Sequence, residues 1–301
     1  MPKQPPRSLS GKVVVVTGGG RGIGAATAKA LVAKGARVAI GDVDVQTAER
    51  TAAQLGGGTI ARHLDVTDRP AFTAFLDEVE AQFGRLDVLI NNAGIMPLVP
   101  AEDESDASIT RQLELNLHAV IHGTKEAMTR FKRRGDGHIV NIASVAGKGG
   151  FPGGATYCAT KHAVVGYSEA VRYELRDTGV EVSCVMPGIV NTELASGLKD
   201  ARLVKKITPE DVAGAIVEAL EQPRFDVFVP KSTGYITQFM AIFPRSAREG
   251  IARFLKADRV LMDAAHGSER VAYEKRASES TPAAEEAIAA AEEAIAEKAA
   301  A

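Results

Sequence analysis

Tyr157 and Lys161 stand four residues apart in a segment with helical spacing, so one face of a helix can present a phenol and an ammonium to the same cleft. A phenol with its unperturbed pKa of about 10 exchanges protons poorly at neutral pH. A cation about 4 Å away, in a medium of effective dielectric about 20, contributes about 4 kcal/mol, which lowers the pKa of the phenol toward the range of acid–base catalysis. Ser144 ends an apolar run thirteen residues earlier. The arrangement predicts proton transfer at a substrate oxygen.

A glycine-rich loop follows the first apolar run of the chain and opens the first helical pattern. It runs from Thr17 to Gly24 as TGGGRGIG, with the spacing Gly-x-x-x-Gly-x-Gly. Glycines allow a tight turn and a close approach to a pyrophosphate, and a helix N-terminus supplies free N–H donors with a partial positive charge. A tight turn without a ligand is the alternative. The position of the loop between a strand and a helix favours a dinucleotide site.

Asp42 ends the second predicted strand, about where a dinucleotide site needs a carboxylate for the adenosine ribose hydroxyls. A carboxylate there accepts hydrogen bonds from a diol and repels a 2′-phosphate, which favours NAD over NADP. Arg21 argues the other way, since a cation in the glycine loop can hold that phosphate, but Asp42 is expected to lie nearer. Asp44 is expected to cap a helix. Asp65, just after the third strand, is expected to reach the adenine amino group, with a turn aspartate as the alternative.

Short apolar runs alternate with longer helical patterns from Lys12 to about Val229. The predicted strands are Val13–Thr17, Arg37–Gly41, Thr59–Leu64, Val88–Asn91, His138–Ala143, Glu181–Met186 and Asp226–Val229. The predicted helices include Ile23–Lys34, Pro70–Phe83, Ile109–Arg133 and Tyr157–Arg176. Apolar strands that are each followed by a helix indicate a parallel sheet covered on both faces. Right-handed crossovers then give a doubly wound α/β sheet in one domain, with its ligand beyond the carboxyl ends of the strands.

Size and composition exclude several other functions. The chain has 301 residues, enough for one large domain, and a net charge of −2, which creates no field for nucleic acid. Its two cysteines, Cys158 and Cys184, argue for a reducing compartment without disulfides. No signal peptide opens the chain and no apolar run is long enough for a membrane span, so we expect a cytoplasmic protein. His118 and His122 have a spacing that metal ligands use, but no third ligand completes a site, and no metal is predicted.

These motifs, together with Asn91-Asn92-Ala93-Gly94 after the fourth strand, resemble the short-chain dehydrogenase/reductase family. The resemblance extends from about Leu9 to Val229. It implies a Rossmann-type sheet of seven strands and hydride transfer between a nicotinamide cofactor and a CH–OH donor or the corresponding carbonyl. It also implies a catalytic set of one asparagine, one serine, one tyrosine and one lysine. These four fall on Asn116, Ser144, Tyr157 and Lys161.

The roles that the resemblance implies follow ordinary acid–base chemistry. Tyr157 exchanges a proton with the substrate hydroxyl, Lys161 lowers the tyrosine pKa and bonds the nicotinamide ribose, and Ser144 donates to the substrate oxygen. Asn116 is expected to hold a helix irregularity. The cofactor is expected to contact Gly18, Arg21, Gly22, Ile23, Gly24, Asp42, Asp65, Val66, Asn92, Ala93, Gly94, Tyr157, Lys161, Pro187, Gly188, Val190 and Thr192.

The substrate pocket is predicted to lie after the fourth, fifth and sixth strands. The predicted substrate contacts are Ser144, Met96, Phe151, Tyr157 and Leu194. The wall is mainly apolar and, apart from Lys148, it offers no cation to clamp a carboxylate or a phosphate. We therefore expect a hydrophobic secondary alcohol or ketone of steroid, retinoid or fatty type. The alternatives are an NADPH-dependent 3-oxoacyl carrier-protein reductase and, in another class, a dinucleotide-binding scaffold or redox sensor without turnover.

The pattern changes from Lys231 onward, where the family's common ending is absent. We predict a flexible N-terminus (1–8), a catalytic domain (9–230), an amphipathic helical extension (231–277) and an Ala/Glu-rich tail (278–301). The extension is expected to pack on the domain, and the alternative is peripheral contact of residues 235–262 with a membrane surface. The resemblance implies homodimers or homotetramers built on the Ile109–Arg133 and Tyr157–Arg176 helices.

Overall fold

Seven parallel strands form a single sheet with the order β3-β2-β1-β4-β5-β6-β7. The structure is a computed structural model, and it describes residues 5–197, 206–254, 270, 273, 274 and 277. The strands are β1 (Val13–Thr17), β2 (Arg37–Asp42), β3 (Ile60–His63), β4 (Val88–Asn91), β5 (Gly137–Ile142), β6 (Val180–Pro187) and β7 (Asp226–Val229). The predicted doubly wound, seven-stranded parallel sheet is confirmed, and each strand begins and ends within one residue of its predicted bounds.

Helices cover both faces of this sheet. They are α1 (Gly22–Ala33), α2 (Val45–Leu55), α3 (Arg69–Phe83), α4 (Asp106–Leu113), α5 (Ala119–Arg134), α6 (Ala155–Glu174), α7 (Pro209–Glu221), α8 (Lys231–Ala241) and α9 (Arg245–Phe254). The predicted helix over Ile109–Arg133 contains a π-helical turn at Glu114–His118, which separates α4 from α5. Apolar periodicity does not register the extra residue of such a turn. The irregularity expected at Asn116 lies within it.

The alternation of side chains along the strands builds one core on each face of the sheet. Val14 and Val16 of β1 pack in a buried cluster with Leu31 of α1 and with residues of α7. Val13 and Val15 point the opposite way and pack with residues of α3 and α5. Every side chain of β1 is therefore buried. This double burial explains why the strand is apolar throughout rather than alternating.

The strand order reverses between β1 and β4, so a crevice opens at the carboxyl ends of these two strands. The glycine loop leaves β1 at this point, and Asn92 leaves β4. The side-chain amide of Asn92 donates hydrogen bonds to the carbonyl oxygens of Thr17 (2.9 Å) and Gly18 (3.0 Å). The loop and the segment after β4 are thus tied together beside the crevice.

A buried polar network holds α5 and α6 against the centre of the sheet. The side-chain amide of Asn91 in β4 donates to Oδ1 of Asn141 in β5 (2.8 Å), and the Asn141 amide donates to Oγ of Ser168 in α6 (2.9 Å). Oγ1 of Thr124 in α5 donates to Asn141 Oδ1 (3.3 Å). Because polar groups buried together specify one arrangement of their elements, the network fixes where α6 lies on β5.

The chain beyond β7 continues in two short helices. α8 packs against β7, where a Cβ on Gly234 would lie only 2.6 Å from Cδ2 of Phe228. Exposed apolar side chains on or just after α8 are Tyr235, Ile236, Phe239 and Ile242. None of the described helices combines the length and the apolar character needed to cross a bilayer. The predicted tail, residues 1–4 and most of the stretch from 255 to 277 lie outside the described residues.

Candidate active site

α6 carries Tyr157 and Lys161 on one face, one helical turn apart, and both side chains are buried. The ammonium Nζ of Lys161 donates a hydrogen bond to the carbonyl oxygen of Ile142, the last residue of β5 (3.0 Å). It also lies 5.7 Å from the centre of the Tyr157 ring. The structure therefore brings the predicted pair together, with the ammonium beside the aromatic ring.

Ser144 joins this pair just beyond the carboxyl end of β5. Its hydroxyl acts to lower the pKa of Tyr157 and accepts a hydrogen bond from the backbone N–H of Ala146 (3.1 Å). It lies 3.5 Å from the carbonyl oxygen of Pro187, the last residue of β6, to which it donates. Ser144 thus connects β5, β6 and α6 at one point. Three of the four residues predicted to be catalytic form one compact group.

Burial governs the proton affinities within this group. Burial raises the pKa of Tyr157 to about 12, while the hydroxyl of Ser144 acts in the opposite direction. Burial also lowers the pKa of Lys161 to about 8. In this structure burial is the largest influence on the pKa of Tyr157, and the lowering of that pKa by Lys161 remains a prediction.

Asn116 occupies the π-helical turn and is fully buried. Its side-chain amide forms two hydrogen bonds with the backbone of Ile95, in which Oδ1 accepts from the N–H (2.9 Å) and Nδ2 donates to the carbonyl (2.9 Å). A Cβ on Gly94 would lie 2.7 Å from Oδ1 of Asn116 and 3.7 Å from Nζ of Lys161. The turn therefore places the fourth predicted catalytic residue close to Lys161, across a glycine that leaves room for both.

The glycine loop between β1 and α1 forms a cradle lined by backbone. A Cβ on Gly24 would lie 2.2 Å from the carbonyl oxygen of Gly18, and a Cβ on Gly18 would lie 2.9 Å from Cα of Ala93. Gly18 and Gly22 also have positive φ angles of 61° and 55°, which favour glycine. No described side chain caps the start of α1, so its first N–H groups are available to an anion. The cradle fits a pyrophosphate.

Asp42 ends β2, and its carboxylate lies against the glycine loop. Oδ2 accepts from the backbone N–H of Gly20 (2.8 Å), and Oδ1 accepts from that of Asp44 (3.0 Å). Asp44 caps α2, as predicted. Arg21 forms ion pairs with Asp44 and with Glu193, the second at 3.2 Å. Two carboxylates therefore neutralise the one cation of the loop.

The remaining predicted cofactor contacts lie around the same crevice. Oδ1 of Asp65 accepts hydrogen bonds from the backbone N–H (2.8 Å) and the hydroxyl (2.7 Å) of Thr67, which is the turn geometry considered as the alternative. On the opposite side, Cγ2 of Thr192 lies 3.4 Å from where a Cβ on Gly22 would be. Val190 pairs with the segment before α7. Others stand at the start of α1 or close to the ends of β3, β4 and β6: Ile23, Val66, Asn92, Ala93, Gly94, Pro187 and Gly188.

An apolar cluster surrounds Tyr157 on the side where the substrate is expected. It contains Met96 and Ala195, which are buried, and Phe151 and Leu194, which are partly buried. The ring centres of Phe151 and Tyr157 are 6.3 Å apart. The structure therefore brings together the residues predicted to contact the substrate, although they come from loops after three different strands.

Sequence reasoning predicted that an extension packs on the domain, but it did not name the residues near the C-terminus whose hydrogen bonds reach this cluster. The guanidinium of Arg270 is buried and donates to the carbonyl oxygens of Met96 (2.7 Å) and Leu194 (2.9 Å). Sequence reasoning did not place an arginine beside this wall. The described residues of this stretch are Arg270, Tyr273, Glu274 and Ala277. Their spacing of i, i+3, i+4 and i+7 indicates one helical face, but spacing does not reveal what that face covers.

Comparison with known proteins agrees with this geometry. The family model described as short chain dehydrogenase matches residues 12–203. The 3-alpha-(or 20-beta)-hydroxysteroid dehydrogenase of Mycobacterium tuberculosis is 36% identical over 213 residues, which cover 69% of this chain and 82% of that protein. The D-threitol dehydrogenase of Mycolicibacterium smegmatis is 39% identical over 222 residues, covering 69% of this chain and 85% of that one.

A solved structure shows the same architecture. The crystal structure of a short chain dehydrogenase/reductase from Burkholderia phymatum in complex with NAD superposes with a TM-score of 0.71 at 27% sequence identity. The superposition covers 77% of this chain and 93% of the other. The similarity therefore extends over nearly the whole of a protein that binds NAD.

Replacing Gly24 with alanine is expected to weaken NADH binding about tenfold or more, because the added methyl group displaces the Gly18 carbonyl and distorts the cradle. Titration of NADH fluorescence measures the effect, and the melting temperature shows whether the variant is folded. Gly214→Ala is the control, since a Cβ at this position in α7 has no atom within 4 Å. Equal NADH affinities for the two variants would remove the cradle from the binding site.

Proposed function

The chain belongs to the short-chain dehydrogenase/reductase family, and on this premise we propose that it transfers a hydride between NAD(H) and a lipophilic secondary alcohol or its ketone. The reaction acts on the CH–OH group of the alcohol. The observation that carries the proposal is the compact group of Ser144, Tyr157 and Lys161 at the crevice. A protein that only binds a dinucleotide needs the glycine loop but not this acid–base group.

Tyr157 is the proton carrier in the proposed reaction. Its phenol donates to the substrate oxygen in ketone reduction, and its phenolate accepts the hydroxyl proton in alcohol oxidation. A nicotinamide bound beside it supplies or accepts the hydride. Ser144 donates a hydrogen bond to the same oxygen and stabilises negative charge there. Because the pKa of Tyr157 is raised to about 12, the phenol is protonated at neutral pH, and the oxidation rate should increase as the pH rises.

The other site residues position this group and the dinucleotide. The Lys161 ammonium has three N–H donors, of which one reaches Ile142 and another is directed to the nicotinamide ribose. Asn116 holds the Ile95 backbone beside Lys161. The glycine loop holds the pyrophosphate, Asp65 and Val66 hold the adenine end, and residues 187–192 hold the carboxamide. These assignments follow the positions of the residues around the crevice.

Electrostatics at the adenosine end favour NAD over NADP. Asp42 is held against the glycine loop by backbone N–H groups, so its negative charge faces the place where a 2′-phosphate would lie. Arg21 and Arg50 are nearby cations that could attract such a phosphate, but Asp44 and Glu193 form ion pairs with Arg21, and Asp44 also lies close to Arg50. The carboxylates therefore outnumber the cations here, which supports a diol rather than a phosphate.

The apolar cluster around Tyr157 supports a lipophilic substrate. Met96, Phe151 and Leu194 contribute carbon surface next to the phenol. The mycobacterial relative named for hydroxysteroids supports this class, whereas the relative named for D-threitol acts on a sugar alcohol. The principal alternative is an NADPH-dependent 3-oxoacyl carrier-protein reductase, which requires the opposite cofactor preference. The non-catalytic alternative is a dinucleotide-binding scaffold or redox sensor without turnover.

We extend the proposal to self-association and to membrane contact. The outer face of α6 exposes Ala159, Gly166 and Ala170, which supports packing against a second copy of the chain in a homodimer or homotetramer. α8 exposes apolar side chains, and the exposed arginines 245 and 248 follow at the start of α9. An apolar helix face next to cations suits the surface of an anionic bilayer, where lipophilic substrates dissolve.

Tyr157→Phe is expected to bind NADH normally yet lose turnover by about 1,000-fold, because phenylalanine cannot exchange the substrate proton. The rate of change in NADH absorbance, recorded with each of a panel of lipophilic secondary alcohols and ketones, measures the loss of turnover. Tyr173→Phe, which removes an exposed hydroxyl from the same helix, is the control and should keep full activity. Retained turnover in Tyr157→Phe would exclude the tyrosine from the chemistry. Absence of turnover in the wild type, with tight NADH binding, would favour the scaffold.

The wild type is expected to prefer NAD⁺ to NADP⁺, and Asp42→Ala is expected to reduce that preference about tenfold, because the substitution removes the charge that repels a 2′-phosphate. The ratio of kcat/KM for the two cofactors is the measurement. Glu49→Ala removes an exposed charge from neighbouring α2 and should leave the ratio unchanged. A wild type that prefers NADPH would contradict this assignment and support the 3-oxoacyl reductase.

Replacing both Ile236 and Phe239 with serine is expected to reduce the membrane-bound fraction about tenfold, because two exposed apolar side chains no longer enter the bilayer interface. Co-sedimentation with vesicles that contain anionic lipid measures binding. Gln238→Ser, an exposed polar change on the same helix, is the matched control. If the wild type does not sediment with these vesicles, α8 has no role at membranes.

A further inference from the structure

Four residues near the C-terminus lie on one helical face, and that face is turned into the protein. Arg270 is 2% exposed, Tyr273 is 9% exposed and Ala277 is 5% exposed. Burial of an arginine to this degree is uncommon and requires that its charge and its N–H groups be satisfied. The partners of this face therefore show what it is built to contact.

Arg270 bridges two segments that come from opposite sides of the substrate region. One of its terminal nitrogens donates to the carbonyl oxygen of Met96 (2.7 Å), in the segment after β4. The other donates to the carbonyl oxygens of Leu194 (2.9 Å) and Ser196 (3.0 Å), in the segment after β6. Met96 and Leu194 both belong to the apolar cluster around Tyr157. One guanidinium thus fixes the distance between two walls of the same pocket.

The positive charge of this guanidinium is paired with a carboxylate of the same protein. Nε of Arg270 donates to Oε1 of Glu274 (3.0 Å), one turn further along the same face. Oε1 of Glu274 also accepts from the backbone N–H of Leu98 at 3.4 Å. A cation that is paired with a carboxylate and bonded to three carbonyls is poorly placed to attract an anionic substrate. Its function is to position the walls.

Tyr273 reaches the same wall with a hydroxyl group. The backbone N–H of Met96 donates to its Oη (2.7 Å), so the oxygen already accepts a hydrogen bond. Among the residues that the structure describes, none accepts the proton of this hydroxyl. Burial raises the pKa of Tyr273, and Met96, whose N–H bonds the Tyr273 oxygen, belongs to the apolar cluster around Tyr157. A neutral O–H donor therefore lies near the catalytic phenol.

We propose that Arg270 and Tyr273 complete the substrate site, Arg270 as a positioning residue that joins its two walls and Tyr273 as a specificity residue that donates a hydrogen bond to a second oxygen of the substrate. The inference rests on the proposed function and narrows it. The preferred substrate is a lipophilic secondary alcohol or ketone that carries a further hydrogen-bond acceptor away from the reacting carbon. The stretch of chain that departs from the family's common ending thereby becomes part of the site.

Arg270→Met tests the positioning role, since methionine keeps an unbranched apolar chain but loses every hydrogen bond. We expect kcat/KM for a lipophilic alcohol to fall on the order of 100-fold, because the walls shift relative to Tyr157. The affinity for NADH should stay the same. Amide hydrogen exchange should become faster in residues 94–99, whose Met96 and Leu98 N–H groups bond the C-terminal face. Arg245→Met, at an exposed arginine of α9, is the matched control.

Two results would overturn the positioning role. Unchanged exchange in residues 94–99 would show that the C-terminal face does not hold this wall. Faster exchange with unchanged kcat/KM would show that the contacts serve stability alone.

Tyr273→Phe tests the specificity role with two substrates, decahydronaphthalen-2-ol and its derivative with a ketone on the second ring. Loss of the donor should lower kcat/KM about tenfold more for the ketone-bearing alcohol than for the parent alcohol. The comparison cancels the effect on the Met96 N–H, which loses its acceptor with both substrates. Tyr173→Phe should leave the ratio of the two values unchanged. An equal loss for both substrates would overturn the hydrogen bond to substrate.

Failure of the proposed function gives a different result from failure of this inference. If the wild type oxidises neither alcohol, the proposed function fails, and calorimetric binding of the ketone-bearing alcohol in the presence of NADH then decides the inference. Weaker binding by Arg270→Met and Tyr273→Phe than by their controls would support the completed site. Equal binding by all four variants would overturn it.

Discussion

The site depends on keeping one ammonium and one phenol buried at the end of a strand. Transfer of the Lys161 ammonium from water into the protein interior is unfavourable. The hydrogen bond that Nζ donates to the Ile142 carbonyl at 3.0 Å offsets part of this free-energy cost. That bond requires α6 to lie at one height on β5. The buried network of Asn91, Asn141 and Ser168 holds α6 in that position on the sheet. The chemistry and the core packing therefore impose the same constraint on one helix.

The π-helical turn at Glu114–His118 is explained by the same constraint. A regular helix satisfies every backbone group inside its length, and an extra residue in one turn disrupts that pattern. The turn places the Asn116 amide where it satisfies both polar groups of the Ile95 backbone at 2.9 Å. Gly94 allows this approach, because any Cβ there would lie 2.7 Å from Asn116 Oδ1. An irregular helix and a glycine are thus used together to bring a polar group beside Lys161.

Sequence reasoning predicted the sheet because each strand is marked by its own short apolar run, and several residues of the run carry the same signal. Val13 to Val16 are buried on both faces, and such a run has few other interpretations. The same reasoning placed Tyr157, Lys161 and Ser144 together because Ser144 lies just beyond β5, and the other two lie in the first two turns of α6. It did not give the effect of burial on the pKa of Tyr157, since spacing along a helix does not show how deeply a side chain is buried. It missed Arg270, because no local pattern indicates which distant carbonyls a helical face will meet.

The short 3-10 turn after β6 is held by arginines from two distant parts of the chain. Arg21 of the glycine loop pairs with Glu193 at 3.2 Å, but both side chains are more than one third exposed, and such a pair contributes roughly 0–1 kcal/mol. Arg270 is buried and bonds the carbonyls of Leu194 and Ser196, so its contacts are not weakened by water in the same way. The position of this turn is therefore set mainly from the substrate side. In the proposed enzyme, Arg270 holds the turn next to the apolar cluster more firmly than Arg21 holds it next to the glycine loop.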